Sequence, residues 1–295
     1  MKIIITGSLG HIGKPLAEEL LQKGNTVTVV SSNPEKKSAI EALGATAAIG
    51  SIEDINFLTQ TFTGAGAVYC MIPPADHNEP DRRTFYSRIA HNYAQAITNS
   101  GVKRVIHLSS FGADLDHGTG IILGAYDAEN IFNQLAGITL THIRPTYFYY
   151  NLENFVNSIK HQNAMIANYG GDEKILLVAP ADIAEVIAEE AQNLESSNHV
   201  RYIASDERTG NEIASIIGAE IGKLNLTWKV ISNEQSQSNL QSFGMPSQLA
   251  SGLVDMYDSM HKGDMARDFY LNQPAKWGKV KMEDYAKEFA TLYNK

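Results

Sequence analysis

Residues 2–13 read KIIITGSLGHIG, and the order of residue types in that stretch decides the fold. KIIIT is a short apolar run rich in isoleucine, the composition of a strand buried on both faces. The run ends at a glycine-rich turn. An amphipathic segment follows, with Ile12, Leu16, Leu20 and Leu21 on one face, and Gly24 stops it. Strand, glycine turn and helix in that order open a βαβ unit.

Outward from this stretch the alternation continues. TVTVV (26–30), ATAAI (45–49), AVYCMI (67–72), KRVIHLS (103–109) and TLTHIR (139–144) read as strands. Helices are predicted over about Pro34–Leu43, around Ile55, Leu58 and Phe62, over about Arg82–Asn99 and over about Leu123–Leu135. Strands alternating with helices at this spacing predict an α/β chain, a Rossmann-type doubly wound parallel sheet. After Pro145 the pattern loosens. EKILLV (173–178), HVRYIA (199–204) and LTWKV (226–230) have strand character. AEVIAEEAQ (184–192), NEIASIIGAEIG (211–222), residues near 249–260 and EDYAKEFATLY (283–293) have helix character. The expected organisation is a dinucleotide-binding Rossmann domain over 1–150. A smaller C-terminal α/β cap over 151–295 is expected to send some segments back to the Rossmann core.

Gly7, Gly10 and Gly13 each answer a physical need of such a turn. The first permits the tight bend after the strand, the second lets backbone approach a pyrophosphate, and the third lets helix and strand pack closely. Backbone N–H groups of Ser8, Leu9, His11 and Ile12, at the start of the helix, then face the phosphates, and the helix dipole favours their charge. No Gly-Lys-Ser/Thr ending follows, which argues against a Walker-type mononucleotide loop. The stretch predicts NAD or NADP as cofactor. The end of the second strand offers Ser31, Ser32 and Asn33, with Lys36 and Lys37 just beyond and no acid at the strand end. Hydroxyl, amide and ammonium donors suit a 2′-phosphate, whereas an acid would select the free ribose hydroxyls, so NADP is favoured over NAD. Helix capping and ordinary surface placement are the competing roles for Ser32, Asn33 and Lys37.

TGSLGHIG (6–13), VYCMIPP (68–74), VIHLSSFGA (105–113), THIRPTYFYYNL (141–152) and VAPADIAEVIAEE (178–190) together resemble the NmrA-like branch of the atypical short-chain dehydrogenase/reductases. That resemblance implies NADPH-dependent quinone and azo-compound reductases, phenylpropanoid reductases, or regulators that bind the dinucleotide without turnover. It places Met71, Ile72, Pro73 and Pro74 along the cofactor, Ser109 at the end of the fifth strand, and Pro145, Tyr147, Phe148 and Asn151 near the nicotinamide or the substrate. The Tyr-x-x-x-Lys pair of the classical enzymes is missing. Tyr126 is followed by Asp127 where many members carry a lysine, and Asn130, one turn on, is uncharged. Tyr126, Ser110 and the loop residue His117 are the catalytic candidates. Packing or surface placement accounts for Tyr126 at least as well, backbone capping accounts for Ser110 equally well, and a solvated loop accounts for His117 better, since it has no matching partner. His107 reads as a core histidine.

The formal net charge of −9 argues against nucleic acid and anionic membrane surfaces as partners. The single cysteine, Cys70, lies in an apolar strand and reads as a buried thiol. Asp114, Asp116 and His117 match no metal-ligand spacing, so no metal is expected. The absence of a long apolar stretch and of a leader-like start predicts a cytoplasmic protein. Two function classes fit. One is an NADPH-dependent oxidoreductase acting on a small planar electrophile by direct hydride transfer. The other is a dinucleotide-sensing regulator with a protein partner.

Overall fold

The alternation read from the sequence is realised in the computed structural model, which describes residues 1–76, 79, 81–193 and 197–295. The strands are β1 (Lys2–Ile5), β2 (Thr26–Ser31), β3 (Thr46–Ile49), β4 (Ala67–Met71), β5 (Arg104–Leu108), β6 (Thr139–Pro145), β7 (Tyr147–Phe148), β8 (Ala164–Ala167), β9 (Lys174–Val178), β10 (His199–Ile203), β11 (Asp206–Thr209) and β12 (Thr227–Val230). The helices are α1 (Gly13–Gln22), α2 (Lys37–Ala42), α3 (Ile55–Phe62), α4 (Arg82–Ser100), α5 (Leu123–Phe132), α6 (Val156–Gln162), α7 (Pro180–Gln192), α8 (Gly210–Glu220), α9 (Asn233–Ser242), α10 (Ser247–His261), α11 (Arg267–Leu271) and α12 (Met282–Tyr293).

The main sheet has the order β10-β6-β5-β4-β1-β2-β3, and the ladders from β3 through β6 run parallel. This is the doubly wound Rossmann order. Strand order reverses beside β1, whose neighbours are β2 and β4, and the crevice at the carboxyl ends of these strands is the fold's ligand position. β1 earns its central place by composition: Ile3, Ile4 and Ile5 are all fully buried, as a strand covered on both faces requires. Asp54 and Asp81 cap α3 and α4 by accepting from Phe57 N and Thr84 N.

The chain divides into two compact units. The first comprises Met1–Ala113, Gly124–Arg144 and Ile183–Arg201. One side of its core joins Ile4, Val30, Val68 and Cys70 of the sheet to Leu58 and Phe62 of α3, Ile89 and Tyr93 of α4, and Phe132 of α5. Two ion pairs are buried within it. Arg104 Nη2 donates to the Glu190 carboxylate at 2.7 Å and to Thr141 Oγ1 at 2.8 Å, and Arg201 reaches the same carboxylate at 2.7 Å. Burial raises the Glu190 pKa, but Arg201, His199 and Arg104 outweigh it and hold the carboxyl below its usual range. The second pair, Arg144 on Glu129, is bidentate at 2.9 and 2.6 Å.

The second unit comprises Asp114–Leu123, Pro145–Asp182 and Tyr202–Lys295. It holds a small sheet β11-β9-β7 and the parallel pair β12-β8. Its core gathers Tyr149, Leu152 and Phe155 with Met165, Leu177, Ile213, Trp228, Met282 and Phe289. The buried carboxylate of Asp182 fixes the segment before α12. It accepts from Ser205 Oγ at 2.6 Å, Lys279 N at 3.0 Å and Val280 N at 3.2 Å.

Candidate dinucleotide site

Thr6 ties the carboxyl end of β1 to that of β4. It is fully buried, its Oγ1 donates to Tyr69 O at 3.1 Å, and it accepts from Met71 N at 2.9 Å. Gly7 follows with φ +93°, and a Cβ there would lie 2.2 Å from Met71 Cε. The conformation therefore demands glycine, whereas the methionine methyl, the end of a flexible side chain, could give way. Ser8 also adopts a left-handed backbone, φ +59°. Its N–H donates to Val30 O at 2.9 Å and its hydroxyl to Ser31 Oγ at 3.1 Å, so the loop is stitched to β2 as well as to β4.

The three glycines differ in what constrains them. A Cβ on Gly13 would lie 2.1 Å from Ser8 O, so its smallness serves the loop's own backbone. A Cβ on Gly10 would meet nothing nearer than Gly7 O at 3.6 Å, an ordinary contact. Its φ is also outside the left-handed region. The folded chain by itself therefore tolerates a side chain at Gly10, and the open space beside it is what a closely approaching phosphate would use. Helix α1 begins at Gly13 without a side-chain cap and without an acid in its first turn. Lys14 N donates to Gly10 O at 3.1 Å, Leu16 N donates to Ile12 O at 3.0 Å and Pro15 has no N–H, so what the helix start can offer an anion is Gly13 N and the loop before it. Leu9 is half-buried, Ile12 is buried, and Gly10 and His11 are exposed.

A cavity of about 340 Å³ opens beside this loop. Gly7 and Ser8 form one wall, Val30, Ser31 and Ser32 a second, and Met71 and Pro73 a third. Ser51, Ile52 and Glu53, just after β3, and Phe85 of α4 complete it. The structure thus brings together the glycine loop, the β2 end and the β4 end, as the sequence predicts. It adds five residues that sequence reasoning missed: Val30, within β2, together with Ser51, Ile52, Glu53 and Phe85. Ser51–Glu53 were legible as the carboxyl end of the third strand, the side on which this fold binds ligands. Phe85 gave no local signal.

The remaining candidates are placed as follows. Ser31 is buried, and its Oγ accepts from Asn33 N at 3.2 Å as well as from Ser8. Asn33 Oδ1 accepts from Glu35 N at 2.9 Å and caps the turn before α2. Ser32 and Lys36 are exposed, Ile72 is buried, Pro73 is half-buried and Pro74 is exposed. Ser109 is buried, with its hydroxyl donating to Glu129 Oε1 at 2.5 Å, beside Arg144. Ser110 donates to the next residue's carbonyl, Phe111 O, at 3.0 Å. Tyr126 is half-buried on α5, and its neighbour Asp127 receives a two-point ion pair from Arg83 of α4. His107 is buried, with Nδ1 2.9 Å from His142 Nδ1.

Within the second unit, the His117 side chain is 88% exposed and pairs with Asp116. That hydrogen bond holds the Asp116 carboxyl below its usual range. Pro145 is buried. Tyr147 is buried with its hydroxyl 2.8 Å from that of Tyr169, and burial drives its phenol pKa up. Phe148 stacks on Tyr150 at 5.1 Å between centroids, and Asn151 is half-buried. Among the described residues, no group of three or more His, Cys, Asp or Glu side chains is placed to hold a metal ion. None of the helices among these residues is long and apolar enough to cross a membrane.

Solved structures share this architecture over nearly the whole chain. The NADPH-dependent quinone oxidoreductase QOR2 of Escherichia coli, complexed with NADPH, is 23% identical with a TM-score of 0.82, covering 99% of this chain and 100% of that one. The triphenylmethane reductase of Citrobacter sp. is 19% identical with a TM-score of 0.82 and the same coverage. Among curated proteins, sterol demethylase protein B of Methylococcus capsulatus is 27% identical over 116 residues. That match spans 38% of this chain and 35% of the relative's own length. The model of the NmrA-like family matches residues 1–284. With the glycine loop, strand order and cavity walls in place, that match over nearly the full length makes this chain a member of the NmrA-like family.

Proposed function

We propose that the protein is an NADPH-dependent oxidoreductase that reduces small, planar, quinone-like electrophiles by direct hydride transfer. The observation that carries the cofactor is Gly10. It is the one glycine of the three that the protein's own packing leaves open, and it stands just before an uncapped helix start, in the loop whose Gly7 and Ser8 line the cavity. The loop N–H groups and the α1 terminus would hold the pyrophosphate, and Met71 and Pro73 would border the dinucleotide along β4. At the β2 end the exposed Ser32 offers a hydroxyl to a 2′-phosphate and the strand itself ends without a carboxylate; the turn that follows carries both Glu35 and Lys36. The solved relatives described as complexes with NADPH and NADP(H) support the same choice.

Bound NADPH supplies a hydride. What the chain must add is orientation, since a quinone that accepts hydride becomes a hydroquinone anion able to take its proton from solvent. This chemistry needs no strong protein acid, which agrees with the uncharged Asn130 standing where the Tyr-x-x-x-Lys enzymes place a cation, and with Arg83 holding Asp127. The same ion pair favours a second reading, a dinucleotide sensor without turnover. NADPH oxidation measured against a panel of quinones, azo dyes and aldehydes separates the two. The reductase predicts acceptor-dependent oxidation, greatest with quinones. A panel in which no acceptor exceeds background, on protein that binds NADPH, overturns it in favour of the sensor.

A further inference from the structure

The cavity beside the glycine loop carries an acid in its wall, and a single arginine faces it. Glu53 borders the cavity next to Ser51 and Ile52. A dinucleotide is an anion, and the 2′-phosphate of NADPH adds further negative charge at the adenosine end. A bare carboxylate in the wall therefore opposes the ligand. Arg88 of α4 sits against this wall. Its Nη2 lies 3.7 Å from Glu53 Oε1 and 3.3 Å from Glu79 Oε2, and its guanidinium carbon lies 5.3 Å from the centroid of Phe85, another wall residue. Among the described residues its other guanidinium N–H groups make no hydrogen bond to protein. One turn further along α4, Asn92 Nδ2 donates to Ile52 O at 3.4 Å, so the same helix face grips the loop after β3 twice.

We propose that Arg88 is a specificity-determining residue of the cofactor site: it masks the charge of Glu53 and so admits the 2′-phosphate of NADPH. The proposal rests on the NADPH reading above. The glycine loop takes the pyrophosphate, which leaves the Ser51–Glu53 and Phe85 end of the cavity for the adenosine half. Opposite walls of a cavity this size lie within about one screening length, roughly 8 Å in physiological salt, so a charge on one wall is felt at the other. A charge at Glu53 acts more strongly on the more highly charged ligand. Removing its mask should therefore penalise NADPH more than NADH. A residue that only props up the wall would weaken both equally.

The test is titration of NADPH and NADH by cofactor fluorescence on the wild type and four variants. Arg88→Ala is expected to weaken NADPH about tenfold and NADH about twofold. Arg88→Lys, which keeps the charge without the planar stack on Phe85, is expected to hold the NADPH/NADH preference. Glu53→Gln, on a side chain that is 54% exposed, should fold normally and bind NADPH more tightly. Adding Glu53→Gln to Arg88→Ala should restore most of the lost preference. Equal losses for the two cofactors, or no recovery in the double variant, overturn the masking role while leaving the cofactor reading intact. A wild type that binds neither dinucleotide overturns both.

Discussion

At the scale of single residues the glycine loop separates two demands that a sequence pattern merges. Gly7 and Gly13 are required by the fold: one by its left-handed φ, the other by the Ser8 carbonyl 2.1 Å from where a Cβ would sit. The fold makes no such demand on Gly10, and on the proposed function only the bound phosphate would. Gly13→Ala should therefore destabilise the protein by about 1–3 kcal/mol, the usual cost of forcing atoms into filled space, measurable by chemical denaturation. The β2 end draws a similar distinction. From sequence alone Ser31, Ser32 and Asn33 are interchangeable donors for a phosphate. In the structure Ser31 is committed to Ser8 and Asn33, and the Asn33 side-chain oxygen accepts from Glu35 N. Ser32, exposed on the cavity wall, is the residue free to discriminate. Ser32→Asp should shift the preference from NADPH toward NADH by about tenfold or more, with little change in melting temperature. An unchanged ratio of the two affinities would remove the β2 end from cofactor selection.

At the scale of elements, the histidines facing each other across β5 and β6 set a pH dependence. His107 and His142 are register partners with their Nδ1 atoms 2.9 Å apart, a contact that holds one proton and not two. Burial, and secondarily the neighbouring His142, keeps the His107 pKa well below its ordinary value, and burial lowers that of His142. In the unfolded chain both rings take up protons near pH 6.5. Above that pH the pair costs nothing. As the pH falls through it, the unfolded state binds protons that the fold refuses, and stability declines. Denaturation midpoints should fall between about pH 7 and 5, and His107→Phe should flatten that slope. The Glu129–Arg144 pair belongs to the same layer. Glu129→Gln leaves Arg144 buried without its counter-charge and should cost about 3–5 kcal/mol.

Elements also show what the sequence could and could not convey. The first six strands were legible because each is an apolar run closed by a turn, and burial in a parallel sheet demands that composition. β11 reads DERT, and nothing in its composition marks a strand. It forms because it pairs antiparallel with β9 and keeps three of its four residues partly exposed. α9 reads NEQSQSNLQS and lacks an apolar face. It is held by a capping box between Ser232 and Gln235 and by Asn168, which bonds Asn233 and Ser236. Phe85 and Arg88 were legible as helix residues only, since their place at the cavity depends on how α4 packs against the loop after β3.

At the scale of the whole molecule, the NmrA-like fold brings a cavity beside the glycine loop but does not by itself bring turnover. The catalytic question turns on Tyr126. If hydride passes directly to a quinone-like acceptor, Tyr126→Phe should change the quinone-dependent rate less than about threefold, because no protein acid limits it. A loss of 100-fold or more, the usual size of general acid catalysis, would instead make the phenol a proton donor and redirect the substrate search toward carbonyls. All these expectations stand on the dinucleotide itself. The most direct measurement is NADPH affinity, by calorimetry or fluorescence, for the wild type and for Gly10→Val. The account predicts saturable binding to the wild type, tighter for NADPH than for NADH. It also predicts that a folded Gly10→Val protein, with an unshifted melting transition, loses at least about 100-fold in affinity, because the new side chain occupies the phosphate's approach. A folded Gly10→Val chain that binds NADPH as tightly as the wild type, or a wild type that binds no dinucleotide, would contradict it.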